Sequence, residues 1–328
     1  MNPGRVCPLH YRYAPSALAN TREREAEILY VVGGLYGNVP ALDALCDIVA
    51  GERNPSTIVF NGDFHWFDVD ETSFATIGEA VQGHIALRGN VETELASDDA
   101  TAGCGCGYPD WVADDDVARS NAILERLRAT ARRRPELRAG LGKLPMYDVF
   151  GVAGIRVGVV HGDAHSLAGW NYAQEHLRTR AAVERLQRDF VESRCRVIAS
   201  SHTCLPVAAD ATLPHGRAVL VNNGAAGMPN FSDARYGVVT RIAATPPGHI
   251  EPIYATRLED LHIAALRLEY DHERWRAMFL ANWPAGTAAH RSYFRRIEAG
   301  PPYTPAHAIR WSAAGRDSAA ASREEIER

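Results

Sequence analysis

Five short polar segments hold the residues of this chain best suited to chemistry. They are Gly33-Gly34-Leu35-Tyr36-Gly37-Asn38, Asn61-Gly62-Asp63, Arg88-Gly89-Asn90, His161-Gly162-Asp163 and Ser201-His202-Thr203-Cys204. Between them they offer carboxylate, imidazole, amide and thiol groups, the donors from which divalent-metal sites and acid–base centres are built. Four of the segments also contain a glycine beside the reactive side chain, which suits tight turns where backbone approaches a ligand.

The elements that must position these segments share one pattern. Each segment follows a short apolar run that reads as a buried strand: Ile28 to Val32, Thr57 to Phe60, Ile85 to Leu87, Ile155 to Val160 and Arg196 to Ala199. Open α/β sheets bind ligands beyond the carboxyl ends of their strands, so five such ends point to one shared site. Asn38, followed by Pro40, reads as the N-cap of a helix carrying Ala41, Leu42, Leu45, Ile48 and Val49 at helical spacing. The pattern breaks between Ser97 and Arg134, where a Gly-rich loop and a helix over Val117 to Arg133 read as an insertion capping the site. Ala173 to Ser193 reads as a long amphipathic helix. Ala218 to Asn222, Gly237 to Ile242 and Ile250 to Ala255 read as later strands, and Leu258 to Leu280 as a helix ended by Trp283-Pro284. The division expected is an N-terminal extension over 1–27, a main domain over 28–256 with an insertion at 97–134, and a C-terminal helical extension over 257–328. The tail from about Ser312 is expected to fray.

Taken in order, the five segments resemble the motif set of the calcineurin-like metallophosphoesterases, in the bacterial branch whose first motif ends His-Gly-Asn and runs into Pro-Ala-Leu. Here that stretch reads Tyr36-Gly37-Asn38-Val39-Pro40-Ala41-Leu42. Pro135-Glu136-Leu137, Leu144-Pro145 and Val221 to Gly227 extend the similarity, which covers roughly Ile28 to Ala255 without the insertion. The resemblance implies an α/β sandwich of two mixed β-sheets flanked by helices, and hydrolysis of phosphate esters assisted by two metal ions. It implies Asp63 as the ligand bridging both ions, and Asn90, His161 and His202 as the rest of one ion's set. The other ion's set would require Asp at position 34 and His at positions 36 and 204, where this chain has Gly34, Tyr36 and Cys204. All the losses fall on one ion. The surviving carboxylate, two imidazoles and amide suit one divalent ion such as Mn, Fe or Zn.

The family's usual His after Gly-Asn, placed to protonate a leaving group, is Val91 here. Substitute proton carriers are His65, Tyr36 and Asp163, with His65 preferred for its place two residues after Asp63; a hydrogen-bonding structural role is its alternative. Tyr36 either fills the vacated metal space or ligates a ferric ion, and Cys204 is either a soft ligand or a small filler. Arg88 could bind a phosphate oxygen bidentately or form a structural ion pair. Asn38 could bind substrate as well as cap its helix. Asp68 could orient His65, and Trp66 and Trp170 could stack on a substrate ring or belong to the core. Cys104-Gly105-Cys106 reads as a Gly-rich turn, with a separate metal or redox role as the alternative.

The bulk composition excludes some classes. The chain has 328 residues, 46% of them apolar, and a formal net charge of −5. That balance gives no sign of a nucleic-acid polymer or membrane surface as partner. Six cysteines at 7, 46, 104, 106, 195 and 204 form no Cys-x-x-Cys pair, which suits reduced thiols in a cytoplasm. The function expected is a cytoplasmic hydrolase acting on a small-molecule phosphate ester, possibly a nucleotide, with one ion. A non-catalytic binding protein and another metal-assisted reaction are the alternatives.

Overall fold

A computed structural model describes residues 2–248, 250–312, 315–317 and 319–320. Two mixed sheets face each other. One has six strands in the order β11-β12-β10-β2-β3-β4: β2 is Ile28–Val32, β3 Ser56–Asn61, β4 Ile85–Leu87, β10 Gly237–Ala243, β11 Tyr254–Leu258 and β12 Leu261–Leu268. The other has seven in the order β1-β5-β6-β7-β9-β8-β13. Here β1 is Arg24–Glu25, β5 Tyr147–Val152, β6 Ile155–Val160, β7 Val197–Ser200, β8 Val207–Leu213, β9 Gly216–Asn222 and β13 Ile309–Arg310.

Alternation along the strands builds the layers. Leu29 and Val31 of β2 point between the sheets, where they join Val59, Val157, Val159, Val197, Val221 and Val238. Ile28, Tyr30 and Val32 point to the other face, into a core shared with Leu42, Leu45, Phe74 and Ile77. Those four come from the helices α2, Val39–Ala50, and α3, Glu71–Gln82. On the outer face of the seven-stranded sheet, Ile198 and Leu220 pack with Leu186 and Phe190 of helix Arg180–Ser193. A strand buried on both faces reads as a continuous apolar run, which is why these strands are visible in the sequence.

The parallel neighbours are what matter for a site. β2, β3 and β4 run parallel, as do β6 and β7, so their carboxyl ends open on the same edge of the sandwich. All five polar segments follow these ends.

The sequence reading is corrected in several places. Residues 261–268 form β12, paired antiparallel with both β10 and β11, not part of a helix. The C-terminal helical part begins at His272 with helix His272–Asn282, followed by helix Ala288–Ala299. The stretch expected as one helix from Ala173 is a 3-10 turn over His176–Arg178 and then the helix from Arg180. The N-terminal segment is woven into the body: β1 pairs with β5, and the Tyr11 hydroxyl donates to Glu94 at 2.6 Å. The tail expected to fray from about Ser312 lies for the most part outside the described residues. No described helix is long and apolar enough to cross a membrane.

Asn38 caps α2 and ties two segments together. Its Oδ1 accepts the Ala41 N–H at 2.9 Å and its Nδ2 donates to the Gly227 carbonyl at 2.9 Å, with the side chain fully buried. Both ends of the amide are engaged in holding the fold. Asn38→Ala removes the cap and leaves the Gly227 carbonyl unpaired, and is expected to lower stability by about 2 kcal/mol. Urea denaturation would measure this, with metal affinity of the folded variant unchanged.

Candidate metal centre

Four side chains meet at the shared edge, one from each of four strand ends. Asp63 follows β3 with a left-handed φ of 51°, Asn90 opens the helix Asn90–Ala96 after β4, and His161 and His202 follow β6 and β7. His161 Nε2 lies 3.2 Å from Asn90 Oδ1, 3.2 Å from His202 Nδ1 and 3.4 Å from Asp63 Oδ1. Asp63, His161 and His202 are all buried, each offering a ligand atom within 4.8 Å of the others. Donor atoms each about 2.1 Å from one ion are separated by about 3.0–3.4 Å at ordinary coordination angles.

The outer contacts of these side chains decide which atoms face inward. His161 Nδ1 lies 2.8 Å from the Asn61 carbonyl, which can only accept, so the Nδ1–H is spent there. His202 Nε2 likewise donates to the Cys106 carbonyl at 3.0 Å. Asn90 Nδ2 donates to the Cys104 carbonyl at 3.0 Å, which turns Oδ1 toward the imidazoles. Such outer partners fix the tautomers and orientations of metal ligands. The result is two imidazole lone pairs facing each other beside a carboxylate and an amide oxygen. That set repels itself unless a cation or a proton stands between, and it fits a divalent ion.

Without an ion, protonation is skewed to hold a proton there. Burial alone would lower the His161 imidazole, but the Asp63 carboxylate and the Asn61 carbonyl outweigh it and the pKa is raised. His202 goes the other way: burial, and then the charge of His161, push it down to about 4. Asp63 is lowered because His161 and His202 overcome its burial penalty.

The space beside Gly34 is filled. A Cβ added at Gly34 would lie 2.8 Å from the Tyr36 ring and 2.9 Å from its hydroxyl. Tyr36 therefore occupies the space an Asp at position 34 would need. Its hydroxyl lies 3.0 Å from Cys204 Sγ, so these two side chains complete each other. Burial, then the neighbouring Cys204, hold the Tyr36 phenol well above its ordinary pKa, and burial raises the Cys204 thiol. With no ion present both groups are held in their protonated forms, paired with each other across the space beside Gly34.

Of the other expected residues, Trp66 and Trp170 line the cavity in front of Asp63, together with Tyr36, Val91, Tyr108 and Tyr293. Several do not. His65 is fully buried, stacked on Phe74 at 4.0 Å, with Nδ1 at 2.6 Å from Asp68 Oδ2. Its loop turns it into the core, so its nearness to Asp63 in the chain does not bring it to the cavity. Asp163 accepts the N–H groups of His165, Ser166 and Asn171 and organises its own loop. Arg88 leans toward the Gly142 carbonyl at 3.5 Å. Neither it nor Asp163 lines the cavity.

Two contributors escaped the sequence reading. Glu92 is buried and accepts the N–H groups of Asp63 at 2.8 Å, Phe64 at 3.1 Å and Gly89 at 2.8 Å, clamping two of the strand-end loops together. Burial and the Asp63 charge push its carboxyl up to about 7. Its signal was present: an acidic residue three positions after Gly89 at a helix start. The second is the loop of Cys104 to Cys106, whose carbonyls orient Asn90 and His202. A backbone role leaves no side-chain signature.

No family model matches the chain, and no curated protein matches it. Solved structures do. A hypothetical protein from Pyrococcus horikoshii OT3 superimposes with a TM-score of 0.55 at 15% identity, covering 84% of this chain and 99% of that one. A metallophosphoesterase from Sphaerobacter thermophilus superimposes with a TM-score of 0.53 at 17% identity, covering 84% of this chain and all of that one (100%). The chain shares its two-sheet α/β fold with that metallophosphoesterase.

Two predictions follow from the outer contacts and the proton balance. A Cβ at Gly105 would lie 2.4 Å from the Tyr11 hydroxyl and 2.8 Å from Glu94 Cγ, displacing the loop that holds Asn90 and His202. Gly105→Ala is expected to weaken metal binding by about 10–100-fold, read by competition with a chromogenic chelator. Metal uptake must also displace the His161 proton. Affinity should therefore rise about tenfold per pH unit below the raised pKa of His161 and level off above it. A chelator titration across that window checks it, and a flat profile contradicts it.

Proposed function

We propose that this chain is a metal-dependent phosphoesterase that hydrolyses a small-molecule phosphate ester with one retained ion, held by Asp63, Asn90, His161 and His202. The observation that carries the reading is the convergence of their four donor atoms, each turned inward by an outer hydrogen bond or a strand-end turn. The metallophosphoesterase fold supports phosphoester hydrolysis as the reaction class. A divalent transition ion bound there, such as Mn, Fe or Zn, supplies positive charge that polarises a phosphoryl oxygen and makes a water more acidic.

The chain's own groups do the rest. Asp63 accepts the Val91 N–H at 3.2 Å and is held facing the cavity. The Trp66, Tyr108, Trp170 and Tyr293 side chains line the cavity around it. Of the three proton carriers expected from the sequence, only Tyr36 lines the cavity, and its phenol acts as a hydrogen-bond donor that keeps its proton. The reading places the enzyme in a cytoplasm, in keeping with its free cysteines.

A second reading has one specific observation in its favour. Val91 stands where the resemblance expects a proton-donating His, and Tyr36 with Cys204 closes one metal position, as a non-catalytic binding protein would tolerate. Elemental analysis and turnover on a panel of aryl phosphomono- and diesters separate the two. One ion per chain is expected, with hydrolysis that falls more than about 100-fold in His161→Ala. Full metal occupancy with no hydrolysis of any ester would favour the binding protein.

A further inference from the structure

The loop that orients two of the four ligands is itself held from outside, by the first residues of the chain. Gly4 brackets that loop. Its N–H donates to the Ala102 carbonyl at 2.8 Å, and its carbonyl accepts the Tyr108 N–H at 2.9 Å. Between those two points lie Cys104 and Cys106, whose carbonyls accept from Asn90 and His202. Gly4 has a left-handed φ of 88°, and a Cβ there would lie 2.7 Å from Val117, so this close approach depends on glycine. Asn121, on the helix Asp114–Arg132, adds a direct link. Its Nδ2 donates to the Pro3 carbonyl at 3.0 Å, and its Oδ1 accepts the Cys104 N–H at 2.9 Å.

Arg5 holds the stretch that follows the loop. Its Nη1 donates to the Pro109 carbonyl at 2.8 Å and its Nη2 to the Val112 carbonyl at 2.6 Å. Its third partner is the Asp114 carboxylate at 2.6 Å, which is 86% exposed. Exposed ion pairs contribute little, so the two carbonyls carry the hold. A continuous path of contacts therefore runs from Pro3, Gly4 and Arg5, through the loop, to Asn90 and His202.

Polar contacts dominate the hold on this segment. Pro3 is exposed, and Arg5 and Val6 are half-buried. Tyr11 is where the firmly held chain begins: it is fully buried, with its hydroxyl on Glu94 and its carbonyl accepting the Leu167 N–H at 3.0 Å. A segment fastened by hydrogen bonds more than by apolar burial opens locally at lower cost than the core around it. We propose that residues 3–5 form a clasp on the metal centre, with Arg5 and Asn121 as positioning residues. Docked, the clasp fixes the carbonyls that turn Asn90 Oδ1 and His202 Nδ1 toward the ion. Released, it frees the loop, and the centre binds its ion weakly. Neither Arg5 nor Asn121 lines the cavity, so both act through the loop. The proposal rests on the one-ion reading above.

Competition for Zn²⁺ between the full-length chain and a chromogenic chelator measures this coupling. Arg5→Ala and Asn121→Ala are each expected to weaken ion binding at least about tenfold. Asp114→Ala, which keeps both carbonyl bonds of Arg5, is expected to stay within about twofold of the parent chain. Coupling between two events is reciprocal, so the ion must also tighten the clasp. Amide hydrogen exchange of the parent chain reads this without any variant. Saturation with Zn²⁺ is expected to slow exchange of the Gly4 and Tyr108 N–H groups at least about tenfold. The Ala182 N–H, at the start of helix Arg180–Ser193, is expected to exchange as before. Parent-like ion affinity in folded Arg5→Ala and Asn121→Ala overturns the proposal and leaves the one-ion reading standing. Exchange at Gly4 and Tyr108 that Zn²⁺ does not slow does the same. A parent chain that binds no Zn²⁺ overturns that reading and the proposal with it.

Discussion

The approach of His202 Nδ1 to within 3.2 Å of His161 Nε2 sets the terms for everything around it. Both nitrogens face inward as lone pairs because the opposite nitrogen of each ring is spent on a backbone carbonyl, of Asn61 and Cys106 respectively. Asp63 Oδ1 and Asn90 Oδ1 add two more electron-rich atoms beside His161 Nε2. A protein does not gather such atoms in its interior unless positive charge compensates them. The architecture serves that gathering: parallel strands deliver the four residues to one edge, Glu92 ties the Asp63 and Gly89 loops, and the loop of Cys104 to Cys106 accepts from Asn90 and His202 through its carbonyls.

The same crowding explains why the altered positions belong together. Gly34, Tyr36 and Cys204 form one packing unit, with the Tyr36 ring in the space beside Gly34 and its hydroxyl against Cys204 Sγ. An Asp at position 34 would collide with that ring, so restoring one residue alone cannot restore a second ion's ligands. Arg296 of the C-terminal helix Ala288–Ala299 fixes the Cys204 carbonyl from behind, which ties the filled half to residues far away in sequence. Filling the space beside Gly34 with apolar and weakly polar atoms avoids a cavity whose lining would lose its contacts.

The strands and the convergence of their polar ends were legible because the signals are local. Buried strands such as Ile28–Val32 are apolar throughout, and a polar segment after each marks its end. β12 was not legible: Leu261 to Leu268 is rich in Leu and Ala, which favour helices, and only its pairing with β10 and β11 makes it a strand. His65 shows the other limit. Distance along the chain placed it beside Asp63, but the direction of a loop side chain is set by the core it meets, here Phe64 and Phe74. Backbone carbonyls that orient ligands, as in Cys104 and Cys106, have no sequence signature at all.

The chemistry open to this centre is bounded by what its lining lacks. Val91 gives only its backbone N–H to Asp63, and its side chain cannot carry a proton. Burial keeps the Tyr36 phenol protonated, so it stabilises charge by hydrogen bonding without giving up its proton readily. His65 and Asp163 are engaged in their own loops. A departing ester oxygen therefore meets no strong acid among the described residues of the cavity. Under the proposed reading, catalysis rests on the ion's charge and on confinement between aromatic side chains. Such a site works best on esters whose leaving oxygen bears negative charge unaided. Under that reading the Tyr36–Cys204 packing and the apolar Val91 push in the same direction, toward a narrower set of substrates.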